Sequence, residues 1–173
     1  MMNEVVIIGL GYIGLPTAAL IASNKTKVFG VDINPIVVDT INRGEIHIVE
    51  PELDEEVKKS VQDGYLTAQL KAKKGDVYLI VVPTPFKKNH EPDISYVESA
   101  TKSIIPLLKK GDLYIIESTS PIGTTEKMRD LIFSIRPELE DQIYLAYCPE
   151  RVLPGNVMHE LVHNDRVIGG INE

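Results

Sequence analysis

Residues Gly9-Leu10-Gly11-Tyr12-Ile13-Gly14 set three glycines at the spacing that lets a chain turn tightly from a strand into a helix around a diphosphate. Gly9 would serve the turn, Gly11 would let phosphate oxygens approach the backbone, and Gly14 would let helix pack against strand. The start of such a helix presents unpaired N–H groups and the positive end of its dipole to an anion. Three glycines alone also suit a plain packing turn. Asp32 adds the second half of the pattern. It lies 18 residues beyond Gly14 at the end of the next apolar run, where a carboxylate can accept hydrogen bonds from both hydroxyls of an adenosine ribose. Its competing role is to cap the helix that Pro35 opens. A carboxylate there repels a 2′-phosphate and no Lys or Arg follows closely, so the combination specifies NAD over NADP.

Further candidates fall at the ends of later apolar runs, which is where an open parallel sheet binds its ligands. They are Pro83-Thr84-Pro85, then Ser118, Thr119 and Ser120 leading to Gly123-Thr124-Thr125, and finally Cys148-Pro149-Glu150-Arg151. Any one hydroxyl suits an ordinary turn or cap equally well, and the convergence on one edge is what points to a site. His159-Glu160-Leu161-Val162-His163 fits H-E-x-x-H, which on a helix sets two imidazoles on one face for zinc. No His or Cys follows it, and Asp165 and Glu173 lack a recognised third-ligand spacing, so no metal is expected. Cys148, the single cysteine, has no neighbouring His and reads as a packed residue rather than a nucleophile. His47 and His90 fall in loops and receive no role.

The elements that must carry these residues alternate along the chain. Strands are expected at 5–8, Lys27 to Asp32, Leu66 to Leu70, Asp76 to Val82, Asp112 to Glu117, Ile143 to Tyr147 and Asp165 to Gly170. Helices are expected after Gly14, at Pro35 to Asn42, Glu52 to Gln62, Ile94 to Leu108 and Thr124 to Ile135. Near-continuous apolar strands separated by helices imply an α/β fold with a doubly wound, mainly parallel sheet, Rossmann-like and in one domain. Val5 to Ala22 carries no charge and is long enough to suggest a membrane span, but Gly9, Gly11, Gly14 and Pro16 break it into strand, turn and helix. A net charge of −7 without a basic stripe excludes non-specific nucleic-acid binding, and one cysteine with no secretory signal fits a cytoplasmic protein without a membrane partner.

Taken in order, GLGYIGLP (Gly9 to Pro16), VDIN (Val31 to Asn34), INRGEIHIVEP (Ile41 to Pro51), VPTPF (Val82 to Phe86), EPDISYVESA (Glu91 to Ala100), ESTSPIGTTEKM (Glu117 to Met128) and YCPERVLPG (Tyr147 to Gly155) resemble the UDP-sugar 6-dehydrogenases. The resemblance runs throughout the chain and is strongest to the branch acting on UDP-N-acetylmannosamine. It implies oxidation of a sugar C6 alcohol to a carboxylate with two NAD used in succession. It also implies that Tyr12, Ile13, Asp32, Thr84 and Thr125 join the glycines in contacting NAD. Thr119 and Glu150 would support the chemistry by placing a water or the reacting sugar, and Arg151 and Val152 would contact the substrate. Glucose-oxidising members carry a second glutamate four residues after the first, where this chain has Pro154. That departure argues against a glucose substrate, and UDP-N-acetylglucosamine is the neighbouring alternative to UDP-N-acetylmannosamine.

The same resemblance makes residues 1–173 an NAD-binding domain of a longer, homodimeric architecture. In that family the central dimerising helix, the C-terminal domain, the catalytic cysteine and the catalytic lysine lie outside this stretch. The chain alone is therefore expected to bind NAD without turnover. Two other classes fit less of the sequence: a stand-alone NAD-binding or regulatory module leaves Glu150 and Arg151 idle, and a purely structural protein leaves the fingerprint idle.

Overall fold

Runs such as Val5-Val6-Ile7-Ile8 leave a strand no polar face, so both faces must be covered. The computed structural model describes residues 4–171 and shows the cover on each side. In chain order the elements are β1 (Glu4–Ile8), α1 (Gly14–Ser23), β2 (Lys27–Val31), α2 (Pro35–Asn42), α3 (Leu53–Gln62), β3 (Leu66–Gln69), β4 (Val77–Ile80), α4 (Ser95–Ile104), β5 (Leu113–Ile116), α5 (Thr124–Ile135), β6 (Tyr144–Tyr147), α6 (Val157–His163) and β7 (Gly169–Gly170). The strands form one sheet in the order β3-β2-β1-β4-β5-β6-β7. All neighbours pair in parallel except β7, which runs antiparallel to β6. This is the doubly wound Rossmann-like sheet expected from the alternation, and the strand order reverses between β1 and β4.

Successive side chains of a strand point to opposite faces, and the two cores follow from that. Val5 and Ile7 meet Leu15, Ala18, Ala19 and Ala22 of α1, Val38 and Ile41 of α2 and Val57 of α3. Val6 and Ile8 belong to the other core, with Val97 and Ile104 of α4 and Met128 and Ile132 of α5. The uncharged run from Val5 to Ala22 resolves into β1, a turn and the 10-residue α1. Among the described residues no helix is long and apolar enough to cross a membrane.

Most of the expected strands are shorter by one to three residues at their ends, and two elements depart further from what the sequence suggested. The helix expected to reach Leu108 ends at Ile104 and closes with a 3₁₀ turn over Ile105–Leu107, because Pro106 has no N–H with which to continue it. The strand expected over Asp165 to Gly170 pairs only at Gly169 and Gly170, opposite Tyr147 and Ala146. Val167 and Ile168 are β-branched yet exposed, so residue type there outruns the available partner. The ends of the expected 1–173 domain, residues 1–3 and 172–173, lie outside the described residues.

Candidate functional site

The turn after β1 is shaped by contacts that its glycines alone permit. Gly9 has φ +100°, and a Cβ on it would sit 2.3 Å from the Val81 carbonyl oxygen. A Cβ on Gly14 would sit 1.9 Å from the Gly9 carbonyl oxygen. Gly11 differs, since a Cβ there would meet nothing within 4 Å. The fold thus needs two of the three glycines, while the third faces open space of the kind a ligand fills. Ile13 stands at the N-cap of α1 and supplies no side-chain hydrogen bond, so the helix start is left to other acceptors. Tyr12 is exposed and Ile13 half-buried beside it.

Asp32, just past β2, is tied to that turn. Its Oδ2 accepts from the Leu10 N–H at 3.1 Å and its Oδ1 from the Asn34 N–H at 2.9 Å. The cap of α2 is supplied instead by Asn34, whose Oδ1 accepts from Ile36 N–H at 3.0 Å, so the competing role considered for Asp32 is already filled. His47 approaches the same corner. Burial pushes its pKa below the ordinary histidine range, against the opposing pull of the Asp32 carboxylate and a hydrogen bond with the Leu10 backbone.

The remaining candidates line the carboxyl ends of β4, β5 and β6. Thr84 is half-buried between its two prolines. Ser118 closes the adjacent strand ends by donating to the Val82 carbonyl at 2.7 Å. Thr124 donates to the Pro121 carbonyl at 2.7 Å, and Thr125 is buried in the first turn of α5. A cleft of about 290 Å³ opens there between Ser120, Ile122, Thr125, Tyr147 and Gly170. Ile116 pairs with Tyr147, so Thr119 and Glu150 each stand three residues past a matched position, Thr119 being exposed. Asp32 and Glu150 leave strands four spacings apart, roughly 19 Å at ~4.8 Å per spacing, as suits opposite ends of an extended ligand.

The sequence model of the UDP-glucose/GDP-mannose dehydrogenase family, NAD binding domain, matches residues 3–173. The chain belongs to this family. A UDP-N-acetyl-D-mannosamine dehydrogenase from Yersinia pestis is 61% identical, over 95% of this chain and 41% of its own length. An NDP-N-acetyl-D-galactosaminuronic acid dehydrogenase from Ralstonia nicotianae is 54% identical over the same shares. The native structure of the UDP-N-acetyl-mannosamine dehydrogenase Cap5O from Staphylococcus aureus superposes with a TM-score of 0.93 at 41% identity, covering 98% of this chain and 42% of that one. The chain thus spans about two-fifths of the length of these relatives.

In this NAD-binding dehydrogenase domain, the structure adds residues that sequence reasoning left without a role. Arg166, from the exposed segment before β7, reaches between two carboxylates. Its Nη1 donates to Glu117 Oε1 at 2.8 Å and its Nη2 to Glu150 Oε2 at 2.7 Å. Glu117 is 2% exposed and Glu150 9% exposed at the side chain. Burial raises the Glu117 pKa above the usual carboxylate range, Arg166 opposes the rise, and the Glu150 charge adds to it. Cys148 is buried and free, with its Sγ 3.8 Å from Arg166 Nη1.

The loop carrying Arg151 and Val152 is fastened from far away. Glu50, buried in the connection between α2 and α3, accepts from the Gly155 N–H at 2.8 Å and the Val157 N–H at 2.6 Å. Arg151 is exposed and Val152 half-buried on that loop. The H-E-x-x-H residues lie on α6, where the rings of His159 and His163 stack with centroids 4.1 Å apart. Glu160 is occupied locally, accepting from Leu153 N–H and from the Asn156 and Asn164 side chains. Among the described residues no three His, Cys, Asp or Glu side chains gather as a metal site, and Glu173, weighed as a ligand, lies outside them.

Proposed function

We propose that this chain is the NAD-binding domain, within a longer architecture, of a UDP-N-acetylmannosamine 6-dehydrogenase, which takes the sugar C6 alcohol to a carboxylate with two NAD used per product. The observation that carries the reading is Gly11, whose open surroundings no packing need explains, set beside a carboxylate that holds the same turn. Gly9, Gly11, Tyr12, Ile13, Gly14, Asp32, Thr84 and Thr125 would hold the cofactor. NAD, when bound, supplies the hydride acceptor. Thr119 and Glu150 are assigned to placing a water or the reacting sugar, and Arg151 and Val152 to the sugar itself. Support for an N-acetylated sugar comes from the names of the two relatives above and from Pro154, which stands where glucose-oxidising members carry glutamate.

Titration calorimetry on the chain tests the cofactor half. NAD is expected to bind more tightly than NADP, and Asp32→Ala to weaken NAD binding by about 1–3 kcal/mol, the range for charge-assisted hydrogen bonds. Equal binding of NADP, or an affinity untouched by the substitution, would remove the assignment of Asp32.

The catalytic half has its own test. The 173-residue chain alone is expected to produce no NADH from NAD and UDP-N-acetylmannosamine. Its only cysteine is buried beside Arg166, away from any nucleophilic role, and near-attack positioning of the sugar needs more of the sugar site than these residues offer. Absorbance at the NADH band is the readout, repeated after the C-terminal portion of a relative is supplied. Sustained turnover by the chain alone overturns this part of the proposal.

A further inference from the structure

We propose that Arg166 is a positioning residue, whose guanidinium fixes the Glu150 carboxylate at the mouth of the site by bracing it against the buried Glu117. This inference rests on the role given above to Glu150. The geometry favours orientation over stability as the purpose. One cation stands between two carboxyl groups, with one hydrogen bond to each and both of those side chains largely buried. Desolvation of such a cluster tends to offset its Coulomb attraction. Its rigidity is another matter. Glu117 directly follows β5 and its backbone carbonyl accepts from the Glu150 N–H at 3.4 Å, so the brace joins two segments already in register.

Three features make Arg166 specific for this task. The planar fork sends separate nitrogens to the two carboxylates at a fixed spacing, whereas a lysine would have to reach both from a single nitrogen. The other Glu150 oxygen accepts from the Arg151 N–H at 2.8 Å, so the carboxylate is held at both ends. Among the described residues Glu117 Oε2 is buried without a partner, and Arg166 is the side chain that holds the Glu117 carboxyl. The ionisable groups facing the guanidinium are Glu117 from the end of β5, and Glu150 and Cys148 from the segment after β6.

The test uses Arg166→Gln and Arg166→Lys, each read in two ways. Carbon-13 NMR titration of the chain is expected to show the Glu117 titration rising by at least about one pH unit in Arg166→Gln, and the Glu150 carboxyl resonance moving in both variants. The chain joined to the C-terminal portion of the Escherichia coli relative, to which it is 59% identical, supplies the kinetics. There Arg166→Gln is expected to lower kcat by about tenfold to a hundredfold with NAD affinity unchanged, and Arg166→Lys to recover part of the loss. A folded Arg166→Gln with the Glu150 resonance, kcat and pH profile all unaltered overturns the proposal. If Arg166→Gln does not fold, Arg166→Lys decides by the same readouts. If the joined wild-type enzyme oxidises no UDP-sugar, the functional reading fails, while the Glu150 and Glu117 resonances still decide whether Arg166 braces them.

Discussion

Gly11→Ala is expected to leave the unfolding temperature of the chain almost unchanged while NAD binding falls at least about tenfold, and Gly14→Ala to lose both. The Cβ at position 11 meets no atom within 4 Å, so the free protein has room for it, and the loss of glycine flexibility in the unfolded chain is worth about 0.4–1 kcal/mol in its favour. The cost appears only when a diphosphate must approach the same backbone. At position 14 the new Cβ lies 1.9 Å from the Gly9 carbonyl oxygen, and both atoms belong to structure that cannot move independently. Overpacking typically costs about 1–3 kcal/mol, and a clash with a backbone atom belongs at the upper end of that range. Thermal unfolding with and without NAD separates the two outcomes. If Gly11→Ala binds NAD as the wild type does, the open space at that residue is not the diphosphate cradle.

Glu50→Ala is expected to destabilise the chain by about 1–3 kcal/mol, because the buried Val157 N–H loses its charged acceptor and the N–H of the exposed Gly155 loses the same partner. Urea denaturation measures it, and a change below about 0.5 kcal/mol would return Glu50 to a bystander role. The effect should be local as well as global. Hydrogen exchange is expected to quicken across residues 151–157, since the substitution frees the loop that carries Arg151 and Val152 from its only anchor in the first half of the chain among the bonds described.

These two predictions also mark what could be read in the sequence. The fingerprint glycines are neighbours along the chain, and Asp32 follows at a distance set by one helix and one strand, so local spacing carries them. The strands were legible for a related reason, since Val5 to Ile8 or Val77 to Ile80 must be buried on both faces whatever the partner. Glu50 and Arg166 have no such signature. Their partners stand 105 and 107 residues away in one case and 49 and 16 in the other, and nothing in the pattern around either residue announces the pairing. The overlong strand before Gly170 fails for the same cause, because Val167 and Ile168 have strand-forming side chains but no paired neighbour within reach. His47 shows the intermediate case: its chain position looks like plain loop, and only folding brings it beside Asp32 and Leu10.

The Asp32 carboxylate grips the Leu10 and Asn34 N–H groups with one oxygen each, and so ties the turn after β1 to the end of β2. The protein's own hydrogen bonds therefore hold turn and carboxylate together, and a dinucleotide is expected to meet a preorganised receptor instead of a loop that must first be gathered. Ordering a loop on binding is among the costs that separate buried area from affinity, and here little of it remains to be met. Association should then be governed by how often a correctly oriented molecule arrives, with no slow conformational phase preceding it. Differences in affinity among variants of this corner should accordingly be carried by how fast the dinucleotide leaves.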